Sequence, residues 1–306
     1  MSNAAMREQI TSKPGFLAAL DQSGGSTPAA LRTYGIPESS YSGDAEMFKL
    51  MHEMRVRIMT TPAFTGEKVI GAILFERTMD GDVEGKPVPT FLWADRGVVP
   101  FLKVDKGLEA QADGVNLMKP IPGLDTLLAR AVTLGVYGTK MRSTITLANR
   151  AGIAAIVRQQ FALGDQIAAH GLMPILEPEV SIKSPAKAEA EVILLDELTK
   201  GLDTLPSGRR VMLKLTIPDH ADLYAPLIAD ARVERVVALS GGYTRHDACE
   251  RLAHNQNMIA SFSRALVDDL QYSMSDAEFD AALAQAIDEI YTASTIKDTA
   301  PLRGSA

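Results

Sequence analysis

What most limits the fold of this chain is an alternation. A short apolar run bounded by Gly, Pro or Asp is followed by residues at helical spacing, and the pattern returns about eight times. The apolar runs fall at 16–21, 69–75, 98–104, 137–142, 172–178, 209–216, 233–239 and 258–262. Between them come helical stripes: Met47, Leu50, Met51, Met54 and Ile58, then Leu124, Leu127, Leu128, Ala131 and Leu134. An Ala-rich helix is expected over 146–169, and Ser184-Pro185 starts another with Ala188, Val192, Leu195 and Leu198 on one face. Helices through Leu223, Leu227 and Ile228, through Cys249 and Leu252, and over 265–270 follow the later runs. Ser275 and Glu278 form a capping box that opens a last helix, with Phe279, Leu283, Ile287 and Ile290 inward. Strands alternating with helices mean parallel pairing through crossovers. With no dinucleotide GxGxxG after the first run, a closed (β/α)8 TIM barrel is the leading α/β architecture, and an open doubly wound sheet is the second. The stretch 76–97, which holds the sole tryptophan Trp93, reads as an elaborated loop.

No domain boundary interrupts this pattern, so 1–306 reads as one domain. Residues 2–4 resemble a tag remnant and are set aside, and the polar stretch 295–306 is expected to fray. The net charge of −7 and the lack of any Lys/Arg-rich run offer no nucleic-acid surface. The single Cys249 rules out an intrachain disulfide and fits a reducing compartment. No apolar run approaches a membrane span, and the start lacks a signal-peptide core. A cytoplasmic protein with no membrane partner is expected, and a homo-oligomer is compatible with the composition.

Lys214 stands in the sixth run between Leu213 and Leu215. Burial penalises an ammonium, and only a neutral amine attacks a carbonyl, so a lysine so placed is the type recruited as a Schiff-base nucleophile. A strand-end lysine reaching out to solvent is the plainer alternative. What separates the two is the company at the other run ends: Asp21, Lys103, Lys140 with Arg142, Glu177 with Glu179, Ser240-Gly241-Gly242 and Arg264. In a barrel these ends converge on one mouth. Neighbouring cations there would push the Lys214 pKa down, Glu177 could shuttle protons, and Asp21 could accept a hydroxyl proton. Arg264, the Ser240-Gly241-Gly242 amides and Lys103 with Ser23 and Ser26 suit two separate phosphates.

Taken together, the motifs resemble the class I fructose-bisphosphate aldolase family over nearly the whole chain, about 15–292. They are Leu17-Ala18-Ala19-Leu20-Asp21-Gln22-Ser23-Gly24-Gly25-Ser26, Leu102-Lys103-Val104-Asp105-Lys106-Gly107, Lys140-Met141-Arg142, Leu176-Glu177-Pro178-Glu179, Leu213-Lys214, Leu239-Ser240-Gly241-Gly242 and Phe262-Ser263-Arg264. The resemblance implies a lyase of glycolysis and gluconeogenesis that needs no metal or other cofactor. It would cleave fructose 1,6-bisphosphate reversibly to dihydroxyacetone phosphate and glyceraldehyde 3-phosphate. It implies Lys214 as the Schiff-base lysine, Glu177 as acid/base, Asp21 in C–C cleavage, and Lys140 with Arg142 orienting substrate. Ser240, Gly241, Gly242 and Arg264 would hold the 1-phosphate, and Ser23, Ser26 and Lys103 the 6-phosphate. Glu179 would support Lys214 and Lys140 from the layer behind the substrate contacts.

The chain departs from the animal-type members in four places. Gln22 replaces an acid, Met141 replaces a tryptophan, Leu215-Thr216 replaces Pro-Asn, and the long tail with its final tyrosine is missing, as in the shorter bacterial branch. Tyr291 is one group that could take over the tail's role. A zinc-dependent aldolase would need clustered histidines, and His52, His170, His220, His246 and His254 are scattered. The remaining rivals are another Schiff-base lyase, which would lack the two-phosphate set, and a non-catalytic sugar-phosphate binder, which has no use for a buried amine.

Overall fold

A computed structural model describes residues 3–23 and 27–298. The apolar runs become the parallel strands β1 Phe16–Leu20, β2 Val69–Leu74, β3 Val99–Lys103, β4 Gly138–Ile145, β5 Met173–Val180, β6 Val211–Thr216, β7 Val233–Leu239 and β8 Ile259–Phe262. Each pairs in parallel with the next, and β8 pairs back onto β1, so the sheet closes into a barrel. A short extra strand, Val115–Asn116, runs antiparallel to the end of β4. The helices are α1 Asn3–Ser12, α2 Thr27–Thr33, α3 Gly43–Thr60, α4 Glu76–Met79, α5 Val88–Ala94, α6 Leu124–Thr133, α7 Arg150–Ala169, α8 Lys187–Asp203, α9 Ala225–Ile228, α10 Arg245–Ala253, α11 Arg264–Val267 and α12 Asp276–Thr295.

Strand alternation divides the apolar residues between two cores. Outward-facing residues such as Leu176, Val180, Leu213 and Leu215 pack under the helices. Inward-facing Leu17, Ile73, Phe101, Ile175, Met212, Val237 and Ile259 fill the lower barrel, and Met6 and Ile10 of α1 close it from below. The Gln9 amide anchors α1 by donating to the carbonyls of Ile70 and Gly97, and Arg7 pairs with Glu234 at 2.7 Å. The sequence reading did not foresee α1, since Met6 and Ile10 are its only buried residues among polar neighbours.

Other differences have local causes. The stretch 76–97 is a pair of short helices, α4 and α5, around a two-stranded hairpin whose turn places Glu84 and Gly85 at positive φ. Asn149, whose side chain accepts from the Gly152 amide, starts α7 four residues later than expected. Helix α8 begins at Lys187 rather than at Ser184-Pro185, and its buried face is Lys187, Ala190, Glu191, Leu194 and Leu198 while Val192 is exposed. The expected face assumed that charges point outward. Here Lys187 points inward to Glu191, the Ile217 carbonyl and Asp219, so the helix is rotated about its axis. Ser275 and Glu278 form the expected capping box of α12. In the stretch expected to fray, Lys297 donates to the carbonyls of Leu252, Met258 and Ala293; residues 299–306 lie outside those described. No described helix is long and apolar enough to cross a membrane.

Candidate active site

At the C-terminal ends of the strands the barrel opens into a cleft of about 970 Å³. It is lined by Asp21, Ser23, Lys103, Lys140, Arg142, Glu177, Glu179, Lys214, Ser240, Gly241 and Arg264, so the residues singled out from run ends come together in one place. Gly242 lies just behind, where a side chain would stand 3.5 Å from the Arg264 guanidinium. Ser26 lies outside the described residues.

The centre of the cleft is a chain of buried charges. Lys140 Nζ lies 2.7 Å from Asp21 Oδ2 and 2.8 Å from Glu177 Oε2, and Lys214 Nζ lies 3.1 Å from Glu177 Oε1. All four side chains are at most 10% exposed. Strand register explains the grouping: β4 pairs with β5 through Lys140↔Ile175 and Arg142↔Glu177, and inward residues alternate. Glu177 and Lys140 therefore enter the barrel at adjacent levels.

Charge neighbours fix the state of two members. Burial acts to raise the Asp21 pKa, but Lys140 and Lys214 outweigh it and hold the carboxyl well below the usual carboxylate range. Burial acts to lower the Lys140 pKa, but Asp21, Glu177 and Asp105 outweigh it and raise it well above an ordinary lysine. Lys140 is thus a fixed ammonium and a poor nucleophile. Among the described residues Lys214 makes one ion pair, with the carboxylate that it shares with Lys140. The expected crowd of cations around Lys214 is therefore interleaved with carboxylates.

Glu179 sits two residues nearer the rim than Glu177, and its carboxylate accepts from Arg142 Nη1 at 3.1 Å. Its direct contact is thus with Arg142, while the charge of Lys214 also acts on it; by register its backbone lies one level above Arg142 and Glu177, opposite Thr144. Burial raises the Glu179 pKa, with Arg142 opposing. Lys103 Nζ donates to Asp105 Oδ1 at 2.7 Å, while Asp105 Oδ2 accepts from the Arg142 amide at 3.2 Å. Asp105 was visible only as a motif member, although an acid two residues from a cleft lysine is itself a signal.

One further residue gave no signal as a site component. Arg55, buried on α3, donates to the Gln22 carbonyl at 2.5 Å and to Thr78 Oγ1 at 2.7 Å, and Gln22 Nε2 in turn donates to Ser263 Oγ at 2.7 Å. Burial, opposed by Asp21, pushes the Arg55 pKa down to about 10. On the far side, Gly241 and Gly242 have φ of +62° and +116°. A side chain at Gly241 would also come within 2.6 Å of Ile182, so only glycine allows this loop to lie over the cleft. Among the described residues no group of three His, Cys, Asp or Glu stands together as metal ligands.

Comparisons with known proteins agree with this geometry. The family model for fructose-bisphosphate aldolase class-I matches residues 15–192. A fructose-bisphosphate aldolase class 1 from Synechocystis is 55% identical over 292 residues, 95% of this chain and 97% of that protein. Among solved structures, the aldolase of Plasmodium falciparum, crystallised with TRAP and an inhibitor, superposes with a TM-score of 0.77 at 19% identity, covering 97% of this chain and 95% of that one. An archaeal fructose 1,6-bisphosphate aldolase gives 0.53 at 12% identity, covering 95% and 99%. At those identities the likeness to the solved structures is one of fold. The family match and the Synechocystis relative go further: this chain belongs to the class I fructose-bisphosphate aldolase family.

Proposed function

We propose that the protein cleaves fructose 1,6-bisphosphate reversibly to dihydroxyacetone phosphate and glyceraldehyde 3-phosphate through an iminium on Lys214. The observation that carries this reading is the Glu177 carboxylate bridging two buried lysines, one of them locked as an ammonium. Lys214 Nζ, as the neutral amine, adds to the C2 carbonyl; Glu177 takes the proton that the nitrogen sheds and delivers it to the carbinolamine oxygen, which leaves as water. Lys140 holds the developing oxyanion. Asp21, kept ionised, takes the C4 hydroxyl proton as the C3–C4 bond breaks. The electron pair goes into the iminium, giving an enamine and free glyceraldehyde 3-phosphate. Protonation at carbon and hydrolysis of the iminium then release dihydroxyacetone phosphate and restore the amine. Ser240, Gly241, Gly242 and Arg264 hold the 1-phosphate, while Lys103 and Ser23 hold the 6-phosphate across the mouth. Ser26 belongs to this second set by sequence. The lone thiol, Cys249, supports a cytoplasmic working place.

The test is borohydride trapping with dihydroxyacetone phosphate. Irreversible inactivation with one labelled peptide containing Lys214 is the expected result. Labelling at Lys140 or Lys103 with Lys214 untouched overturns the assignment.

A further inference from the structure

The inward face of α7 is Gly152, Ile153, Ile156, Val157, Phe161, Gly164 and Ile167, with one polar exception, Gln160. Its side chain is buried among residues that would accept a leucine or methionine by size. A buried amide is costly unless its donors and acceptors are met. Both ends of this one are: Oε1 accepts from the main-chain N–H of Glu177 at 2.9 Å, and Nε2 donates to Ser143 Oγ at 3.1 Å. The orientation of the amide follows from its partner, because an N–H can be met only by the oxygen.

The place it grips is unusual. Strand β5 pairs with β6 only at Ile175 and Leu176, and Pro178 brings no N–H of its own. Glu177 therefore sits where β5 has just left β6 and is paired in the sheet on one side alone, with Arg142 of β4. Its carboxylate must nevertheless stay between Lys140 and Lys214. Gln160 supplies from outside the barrel a fixed point for the main chain whose side chain works inside it.

We propose that Gln160 is a positioning residue for the reaction, holding the Glu177 main chain so that the carboxylate stays within reach of both lysines. Ser143, buried on β4, fixes the amide from behind. This rests on the reading of Glu177 as the proton shuttle. Gln160 touches no substrate atom, so its loss should slow the proton-transfer steps and leave phosphate binding alone.

The experiment compares Gln160→Met, Gln160→Glu, Ser143→Ala and Glu177→Gln in the full chain. Gln160→Met keeps the volume and removes the contact. Its kcat on fructose 1,6-bisphosphate should fall about ten- to a hundredfold, the scale of a misplaced catalytic group. KM should stay within about twofold, and borohydride trapping with dihydroxyacetone phosphate should slow in parallel. Gln160→Glu restores an acceptor for the Glu177 N–H and should recover most of kcat. Ser143→Ala removes only the rear anchor, so a smaller drop in kcat at constant KM is expected. That variant decides the matter if Gln160→Met does not fold. Unchanged kcat in either folded variant, or equal losses in Gln160→Met and Gln160→Glu, overturns the positioning role. If instead Glu177→Gln is as active as wild type, the reading of Glu177 itself has failed.

Discussion

The lower and upper halves of the barrel are equally buried and built on opposite principles. The lower half has an apolar centre, with Leu17, Ile73, Phe101, Ile175, Met212 and Val237 closed from below by α1. It gains roughly 25 cal/mol for each Å² taken from water, and its parts are held by shape. The upper half buries Asp21, Lys140, Glu177 and Lys214 at the same strands, where each charge loses its hydration and is held only by its neighbours. One strand therefore changes character along its length: Ile175 belongs to the floor and Glu177 to the mouth, two residues apart. Removing a floor residue should lower stability alone. Removing a mouth residue should separate stability from activity in a way that depends on which partners are left.

The largest effect should come from Lys140→Met. It leaves Asp21 and Glu177 without their shared ammonium, so activity should vanish and chemical denaturation should show a loss of about 3–5 kcal/mol. Lys214→Met is the contrast. Glu177 keeps Lys140, so covalent chemistry should disappear while the denaturation midpoint holds or rises. A Lys214→Met protein that melts as readily as Lys140→Met would show that the two lysines share the load equally.

Phe101→Ala tests the floor. Phe101 is fully buried and meets Tyr137 edge to face at 5.5 Å, so a loss of about 3–5 kcal/mol is expected, with KM unchanged in the protein that remains folded. A changed KM would mean that the two halves are mechanically coupled.

These contrasts bear on what the sequence could tell. The strand ends were legible because apolar runs of fixed length finish on charges, and the barrel brings the ends together whatever the loops do. Partner choice was not legible. Glu179 accepts from Arg142 and meets Lys214 only through its charge, a division that sequence spacing alone does not show. Buried polar residues on helices were hidden for a related reason. Arg55, Gln160, Lys187 and Glu191 sit at positions where a charged or amide side chain is normally assigned to solvent, and nothing local marks the inward ones. Helix α1 was hidden because its docking face is two residues wide.

A smaller effect is expected at the rim. Lys103→Ala should reduce kcat/KM on fructose 1,6-bisphosphate by the roughly 1.5–3 kcal/mol of a charge-assisted contact, about ten- to over a hundredfold. Fructose 1-phosphate should be spared. Because Lys103 is paired to Asp105 at 2.7 Å, an equal loss on both ketoses would assign it to the reacting centre instead.

The smallest effect concerns acid. The Asp21 carboxyl has a folded pKa below its unfolded value, so it adds stability that is complete above the unfolded value of about 3.9. That contribution diminishes as pH falls below there, and is gone once pH has passed through the lowered folded value. Urea midpoints measured from pH 6 down to 3 should fall more steeply for wild type than for Asp21→Asn. Parallel curves would show that the ammonium neighbours of Asp21 do not discriminate between its two forms.

The floor has a consequence for how the molecule is made. Helix α1 leaves the ribosome before the barrel strands, yet its Arg7 pairs with Glu234, 227 residues downstream. Arg235 likewise donates to the carbonyls of Thr11 and Lys13. During synthesis only the part of its seat at Ile70 and Gly97 is made early, the rest waits for β7, and a short amphipathic segment of this length is marginal by itself in water. A helix translated before every strand of the barrel is thus among the last to be fully seated, and closure from below waits until β7 has been made.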